Sequence, residues 1–328
     1  NERIIDVDES GYAKLVMEEG ETGYATLKYG KDRVPLFIEK DKSLIIYVYG
    51  DQARGNTRFE GNGAPKNTYL NSLESRNKSF DYELDGMDFL QQLKDQVEQQ
   101  IYYLDTMGFD KVFNETERNR IRFSAYMALE NYPLYHAWST GNKDYQLDTA
   151  FLETIKTFIK EDESLLALKE YQEGMASLVS VISTAHLKEY DAYKQVMAQF
   201  GYVIDNLTNN ILVEFLIDHY AYNFLLGAGV DEHMNDVLKV YDTYVKDAKM
   251  RKRFYDGYER CMKIVPGKPA ANFVFTDIAG QAFKLDDFRG KYLFINVWAT
   301  WGVPCRVENV HWEKLEKEFE EENIVFVA

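Results

Sequence analysis

Cysteine is nearly missing from this chain: two in 328 residues, Cys261 and Cys305. Two thiols make no disulfide framework, and nothing in their spacing supports a bridge between them. Proline is scarce as well, at six. No run of about 18 apolar residues occurs, so no segment can cross a bilayer as an apolar helix. Positive charge is in deficit, with 38 Lys+Arg against 54 Asp+Glu and a formal net charge of −16. That balance argues against nucleic acid or an anionic membrane as the main partner. Histidine is rare, and none of the five stands in an H-E-x-x-H or C-x-x-C setting that would hold a metal. No glycine loop fit to cradle a phosphate is present, and no Ser-His-Asp set can be read from the sequence. No signal peptide is visible, but a processed chain would show none.

What is present divides into parts. The length suits two or three domains with substantial cores, and the expected class is multidomain α+β. Residues 1–63 read as a small antiparallel β domain. Tyr24–Tyr29, Val34–Ile38 and Leu44–Tyr49 are strand-like, with turns at Gly30-Lys31-Asp32 and Asp41-Lys42-Ser43. Pro35 suits an edge position, where a missing N–H does no harm. Gly61-Asn62-Gly63-Ala64-Pro65 ends this pattern, and an all-α segment of six or seven helices follows over 64–262. Its apolar stripes are Leu147/Phe151/Ile155/Phe158-Ile159, Leu212/Phe215-Leu216/His219/Tyr222 and Met234/Val237-Leu238/Tyr241/Tyr244-Val245/Ala248. Pro133 and Gly227-Ala228-Gly229 mark breaks. His219 reads as a hydrogen-bonded packing residue, and Cys261 as structural. The 24 tyrosines read mainly as packing, with a ligand groove as their other use. Acidic runs such as Glu161-Asp162-Glu163 read as solvated helix ends.

The third part, 263–328, carries the chemistry. Tyr292–Trp298 is a short apolar run suited to a buried strand. Ala299 to Val303 forms the turn off its end. Pro304 fits a first helical turn, where its missing N–H costs nothing. From Cys305 to about Glu321 the chain favours a helix with Val310, Leu315 and Phe319 inward, and Ile324–Ala328 reads as a second strand. Strand, helix and strand predict a right-handed βαβ unit, with the loop at the carboxyl end of the first strand.

Trp301-Gly302-Val303-Pro304-Cys305 resembles a thioredoxin active-site loop, W-C-x-P-C, with its first cysteine replaced. Gly280, Leu285, Gly290, Lys291, Asn296, Trp298, Ala299, Thr300, Trp301, Pro304 and Cys305 extend the match. Together they resemble the thioredoxin-like disulfide reductases of the TlpA/ResA type. The resemblance implies a thioredoxin-like α/β domain, incomplete at its C-terminal end, acting on protein disulfides or a redox partner protein in the periplasm or cell envelope. It also implies Trp298 in the core and Trp301 on the rim of the loop. No cofactor is implied. In that family a thiolate at the position of Gly302 attacks the disulfide, and the cysteine at the position of Cys305 resolves the mixed disulfide. Gly302 leaves the attacking role vacant, so a dithiol/disulfide cycle cannot run within this motif. Gly302 reads as a variant of a working reductase, as a natural loss in a domain kept for binding, or as the mark of single-thiol chemistry at Cys305. A non-enzymatic envelope protein built on a redox-dead scaffold is the alternative function, and a peroxiredoxin-like thiol peroxidase a more distant one. An order of β part, helical part and thioredoxin-like part also resembles such envelope proteins. The pattern Phe59, Gly61, Ala64, Asn67, Tyr69, Leu70 adds to that resemblance without implying an activity.

Overall fold

The computed structural model describes residues 3–18, 21–50, 53, 55–72, 79–277, 279–300 and 303–327. The fold is mixed α+β, with ten α-helices and small two-stranded sheets among the described residues. It divides into two compact units, Asn1–Ala228 with Glu232–Phe254, and Gly229–Asp231 with Tyr255–Ala328.

The first unit opens with two hairpins. β1 (Gly23–Tyr29) pairs antiparallel with β2 (Asp32–Ile38), and β3 (Ile45–Val48) with β4 (Thr57–Glu60). Tyr29 pairs with Asp32, so Gly30 and Lys31 alone make the first turn, with Gly30 at φ 57°. The strands form two separate pairs rather than one sheet. They share a core of Val34, Leu36, Ala53 and Phe59, against which Leu27, Ile46 and Val48 pack. Pro35 lies opposite Thr26 in a two-stranded sheet, where every strand is an edge.

Among the described residues nine α-helices follow between residues 64 and 262: α1 (Ala64–Ser72), α2 (Gly86–Thr106), α3 (Lys111–Thr140), α4 (Thr149–Lys156), α5 (Lys169–Thr184), α6 (Ala192–Asn206), α7 (Asn210–Ala228), α8 (Met234–Tyr244) and α9 (Ala248–Met262). The count exceeds six or seven in part because a short helix such as α1, nine residues long, gives little periodicity to read. Asp148 caps α4 by accepting from the Phe151 N–H at 2.7 Å, which starts the helix after Leu147. The stripe ending at Phe158-Ile159 is therefore longer than its helix. The α8 stripe is sound: Met234, Val237, Tyr241 and the capping Val245 are all buried. On α7 the buried set includes Leu212, Leu216, Tyr220 and Phe224, while Phe215, His219 and Tyr222 are half-buried. His219 Nε2 lies 3.0 Å from Asn223 Nδ2. α7 stops at Ala228, and Gly229 turns the chain with φ 76°.

Pro133 does not break a helix. It lies inside the 30-residue α3, although an interior proline forfeits a hydrogen bond and crowds the preceding turn. Tertiary contacts on both sides hold the helix through it. The Tyr132 hydroxyl donates to Leu84 O at 2.8 Å, and His136 Nδ1 lies 2.9 Å from Tyr82 O. Tyr132 is also fully buried against Phe89 and Phe151.

α3 is contacted by β1, β2, α1, α2, α4 and α5. At its start Asp110 accepts from the Phe113 N–H at 3.0 Å and from Lys66 Nζ at 2.5 Å. Lys66, 7% exposed, also donates to Glu39 at 2.6 Å and lies over the Phe37 and Phe113 rings at 5.0 and 4.8 Å. Two turns on, buried Glu117 accepts from the Tyr24 hydroxyl at 2.6 Å and pairs with Arg120. Asn67, fully buried on α1, accepts from Phe37 N at 2.8 Å and donates to Phe37 O at 2.9 Å. Asn71, one turn further, donates to Pro35 O at 2.8 Å. At mid-length α5 comes so close that a Cβ on Gly174 would sit 2.4 Å from Phe123 O.

The acidic runs are not all solvated helix ends. Glu161 accepts from the backbone N–H groups of Thr208 and Asn209 at 2.7 and 2.6 Å, ahead of α7. Glu214 accepts from Lys246 N and Asp247 N at 2.5 and 2.6 Å, ahead of α9. Asp218, buried on α7, accepts from the Tyr241 hydroxyl at 3.0 Å and pairs with Arg253. Burial raises the pKa of Asp218, with Arg253 and Tyr241 pulling it back in part.

Two predictions follow from these contacts. In an ordinary helix interior Gly→Ala stabilises by about 1 kcal/mol. Gly174→Ala is expected to destabilise by about 2–3 kcal/mol instead, because backbone must move to admit the methyl group; urea denaturation reads the sign directly. The second concerns Lys66. Its hydrogen bond holds the Asp110 pKa down, helped by the Phe113 N–H. Burial pulls the Lys66 pKa down, but the hydrogen bonds to Asp110 and Glu39 outweigh it and leave the pKa raised. A depressed carboxyl stabilises above its unfolded value and loses that effect as pH falls through the folded one. A raised ammonium stabilises below its unfolded value and loses that effect as pH rises through the folded one. The clamp is thus at full strength between about pH 4 and pH 10. Lys66→Met is expected to cost about 2–3 kcal/mol at neutral pH, less than a fully buried pair because Asp110 meets water. The gap to the unaltered protein should close as the pH is taken below about 4, as followed by denaturant titration at each pH.

Candidate active-site loop

The second unit contains a hairpin of β5 (Val274–Thr276) and β6 (Ala282–Lys284). Asp277 organises its turn, accepting from Ala279 N and Gln281 N at 2.9 and 2.8 Å, and Gly280 supplies φ 81°. The rings of Phe273, Phe275, Phe283 and Phe288 gather around it. The chain then enters β7 (Tyr292–Ile295), crosses through α10 (Val303–Glu318), and returns as β8 (Ile324–Val327).

β7 and β8 are parallel, in the register Tyr292↔Ile324 through Ile295↔Val327. Parallel neighbours require a crossover connection, which α10 provides. Tyr292 N donates to Asn323 O at 2.9 Å and Asn296 N to Val327 O at 2.8 Å, so pairing runs just past both ends of β7. Trp312 on α10 packs at 5.1 Å from Phe294 and 5.3 Å from Phe326. Trp312, Leu315 and Phe319 are half-buried at helical spacing. Leu315 and Phe319 were legible from periodicity, whereas Trp312 was not singled out. The expected inward position Val310 lies outside the side chains described.

β7 is not the buried strand its apolar sequence predicts. Tyr292 is 77% exposed and Trp298, expected in the core, is 40% exposed. The physical reason is layer count. A parallel sheet is buried when helices cover both faces, and among the described residues one helix crosses this two-stranded sheet.

The predicted loop residues fall between β7 and α10. Trp301 and Gly302 lie outside the described residues. Val303 and Pro304 are the first two residues of α10, where a missing N–H is harmless. Cys305 is the third, half-buried. A helix start carries unpaired N–H groups and the positive end of the helix dipole. Asn296 Nδ2 reaches Asn309 Oδ1 at 3.5 Å, tying the end of β7 to the second turn of α10. Cys261 sits in the last turn of α9 and is not bridged to Cys305. Among the described residues no group of three or more His, Cys, Asp or Glu is placed to hold a metal, and no helix is long and apolar enough to cross a membrane.

Residues 266–328 match the AhpC/TSA family. The chain is 40% identical over 77 residues to the thiol-disulfide oxidoreductase ResA of Bacillus thuringiensis subsp. konkukian, covering 23% of this chain and 43% of that protein. It is 37% identical over 65 residues to ResA of Bacillus subtilis, covering 20% and 36% respectively. The chain therefore spans less than half the length of these curated relatives. No solved structure matches. The C-terminal part of the chain thus matches a thioredoxin-fold domain of the AhpC/TSA type and is similar, over that part alone, to the ResA thiol-disulfide oxidoreductases.

Proposed function

We propose that this chain belongs to a thiol-disulfide oxidoreductase of the cell envelope or periplasm whose attacking-thiol position is Gly302. The observation that carries the reading is the parallel β7–α10–β8 unit with Cys305 in the first turn of its helix. Trp301, Val303 and Pro304 complete the loop, and Cys305 takes the resolving position. The substrates are protein disulfides or a redox partner protein. The chemistry is carried by sulfur and needs no cofactor. The β part (1–63) and helical part (64–262) precede the redox domain (263–328) in this reading, and the resemblance to TlpA/ResA-type proteins supports the envelope location.

Gly302 sets the limit on activity. If the Cys305 thiolate attacks a protein disulfide, it forms a mixed disulfide and releases the other sulfur as a thiolate. No second thiol stands in the loop to displace the bound partner, so the cycle stops after one turn. Gly302 itself favours a second reading, a binding protein that keeps the scaffold and has lost the redox step.

Insulin-disulfide reduction, measured on the full-length protein with Gly302 and with Gly302→Cys, separates the two. The cysteine variant is expected to rise from background to repeated turnover. Background activity in a folded Gly302→Cys protein would overturn the redox reading and leave the binding one.

A further inference from the structure

The helical unit holds a groove that the redox reading does not use. It has a volume of about 750 Å³ and lies among α4, α5 and α6. The groove is shallow and open to solvent along most of its face. Leu152, Met197 and Ala198 line it, half-buried and so still open to solvent. Lys156, His186 and Lys194 also line it and are exposed.

The charge of this lining is the informative feature. Acids outnumber bases 54 to 38 over the chain, yet no Asp or Glu lines the groove. Lys156 Nζ donates to Glu153 at 2.7 Å and Lys194 Nζ lies 3.3 Å from Asp191, both within a helical turn and both with exposed lysine heads. Such surface pairs are worth little, so either ammonium can turn to a ligand at small cost. Neither Glu153 nor Asp191 is among the lining residues, and the one carboxylate bonded to a lining hydroxyl, Asp236, accepts from Tyr193 at 2.9 Å. An apolar floor with cationic heads at the rim complements a molecule with an apolar body and one negative head.

We propose that this groove binds a small amphipathic carboxylate, its apolar body on Leu152, Met197 and Ala198 and its head between Lys156 and Lys194. The site is independent of the chemistry at Cys305 and gives the helical unit a ligand of its own.

Decanoate below its micelle concentration is the probe, titrated calorimetrically into the full chain, with decan-1-ol as the neutral comparison. Decanoate is expected to bind at a single saturable site and more tightly than the alcohol. Lys156→Glu with Lys194→Glu should weaken decanoate by at least about tenfold and leave decan-1-ol within about twofold. Ala198→Trp should fill the groove and abolish both. The paired lysine substitution changes only exposed side chains and carries the test alone if the tryptophan variant does not fold. No saturable decanoate binding, equal affinity for the alcohol, or indifference to the charge reversal overturns the proposal.

Discussion

The first unit depends on one close approach, the contact between α5 and α3 at Gly174. With a hydrogen in place of a side chain there, the α5 backbone reaches the Phe123 carbonyl, and Phe123 packs edge-on against Tyr171 at 4.7 Å. Just under one turn from Gly174, Ser177 donates to Glu130 at 2.9 Å. α3 thereby becomes a fixed rod along its length. The first hairpin attaches at its start through Phe113 and Glu117, α1 attaches there through Asp110, and the segment before α2 attaches near its end through Tyr132 and His136. That a proline is tolerated within this rod follows from the same contacts, which hold the helix from outside where its own ladder is interrupted.

The acidity of the chain has a structural component that composition hides. Glu161 and Glu214 each reach out to backbone N–H groups just before another helix begins. Anionic groups are favoured at that end of a helix. Glu117 and Asp218 are spent inside, each satisfied by a tyrosine hydroxyl and an arginine. A share of the excess carboxylates thus orders helix starts and interhelical contacts. The rest leaves the surface negative, and against that background the carboxylate-free groove beside α6 stands out.

Local signals read well where the responsible physics is local. The strands at Tyr24–Tyr29 and Val34–Ile38, the turn at Gly30, the α8 stripe and the stop at Gly229 were all legible, because alternation, glycine and helical spacing act over a few residues. The strand–helix–strand order around Cys305 was legible for the same reason. Pro133 was misread because its rescue comes from Tyr82 and Leu84, some fifty residues away in the chain. Exposure of β7 was misread because an apolar strand reports its preference for burial and cannot report how many layers cover it. Asn67 appeared only as one letter of a pattern. Its two-way hydrogen bonding to Phe37 depends on a helix and a strand that meet in three dimensions.

That asparagine has a consequence for self-association. A hairpin strand offers its outer row of amide and carbonyl groups to any other extended chain. On β2 that row is closed at two successive positions. Pro35 has no hydrogen to offer, and its oxygen is taken by Asn71; both backbone groups of Phe37 are taken by Asn67. Two side-chain amides from a single helix do the work of a missing neighbour strand. The hairpin cannot be extended from that side, and the route to aggregation by strand addition is shut there without the insertion of a single charge.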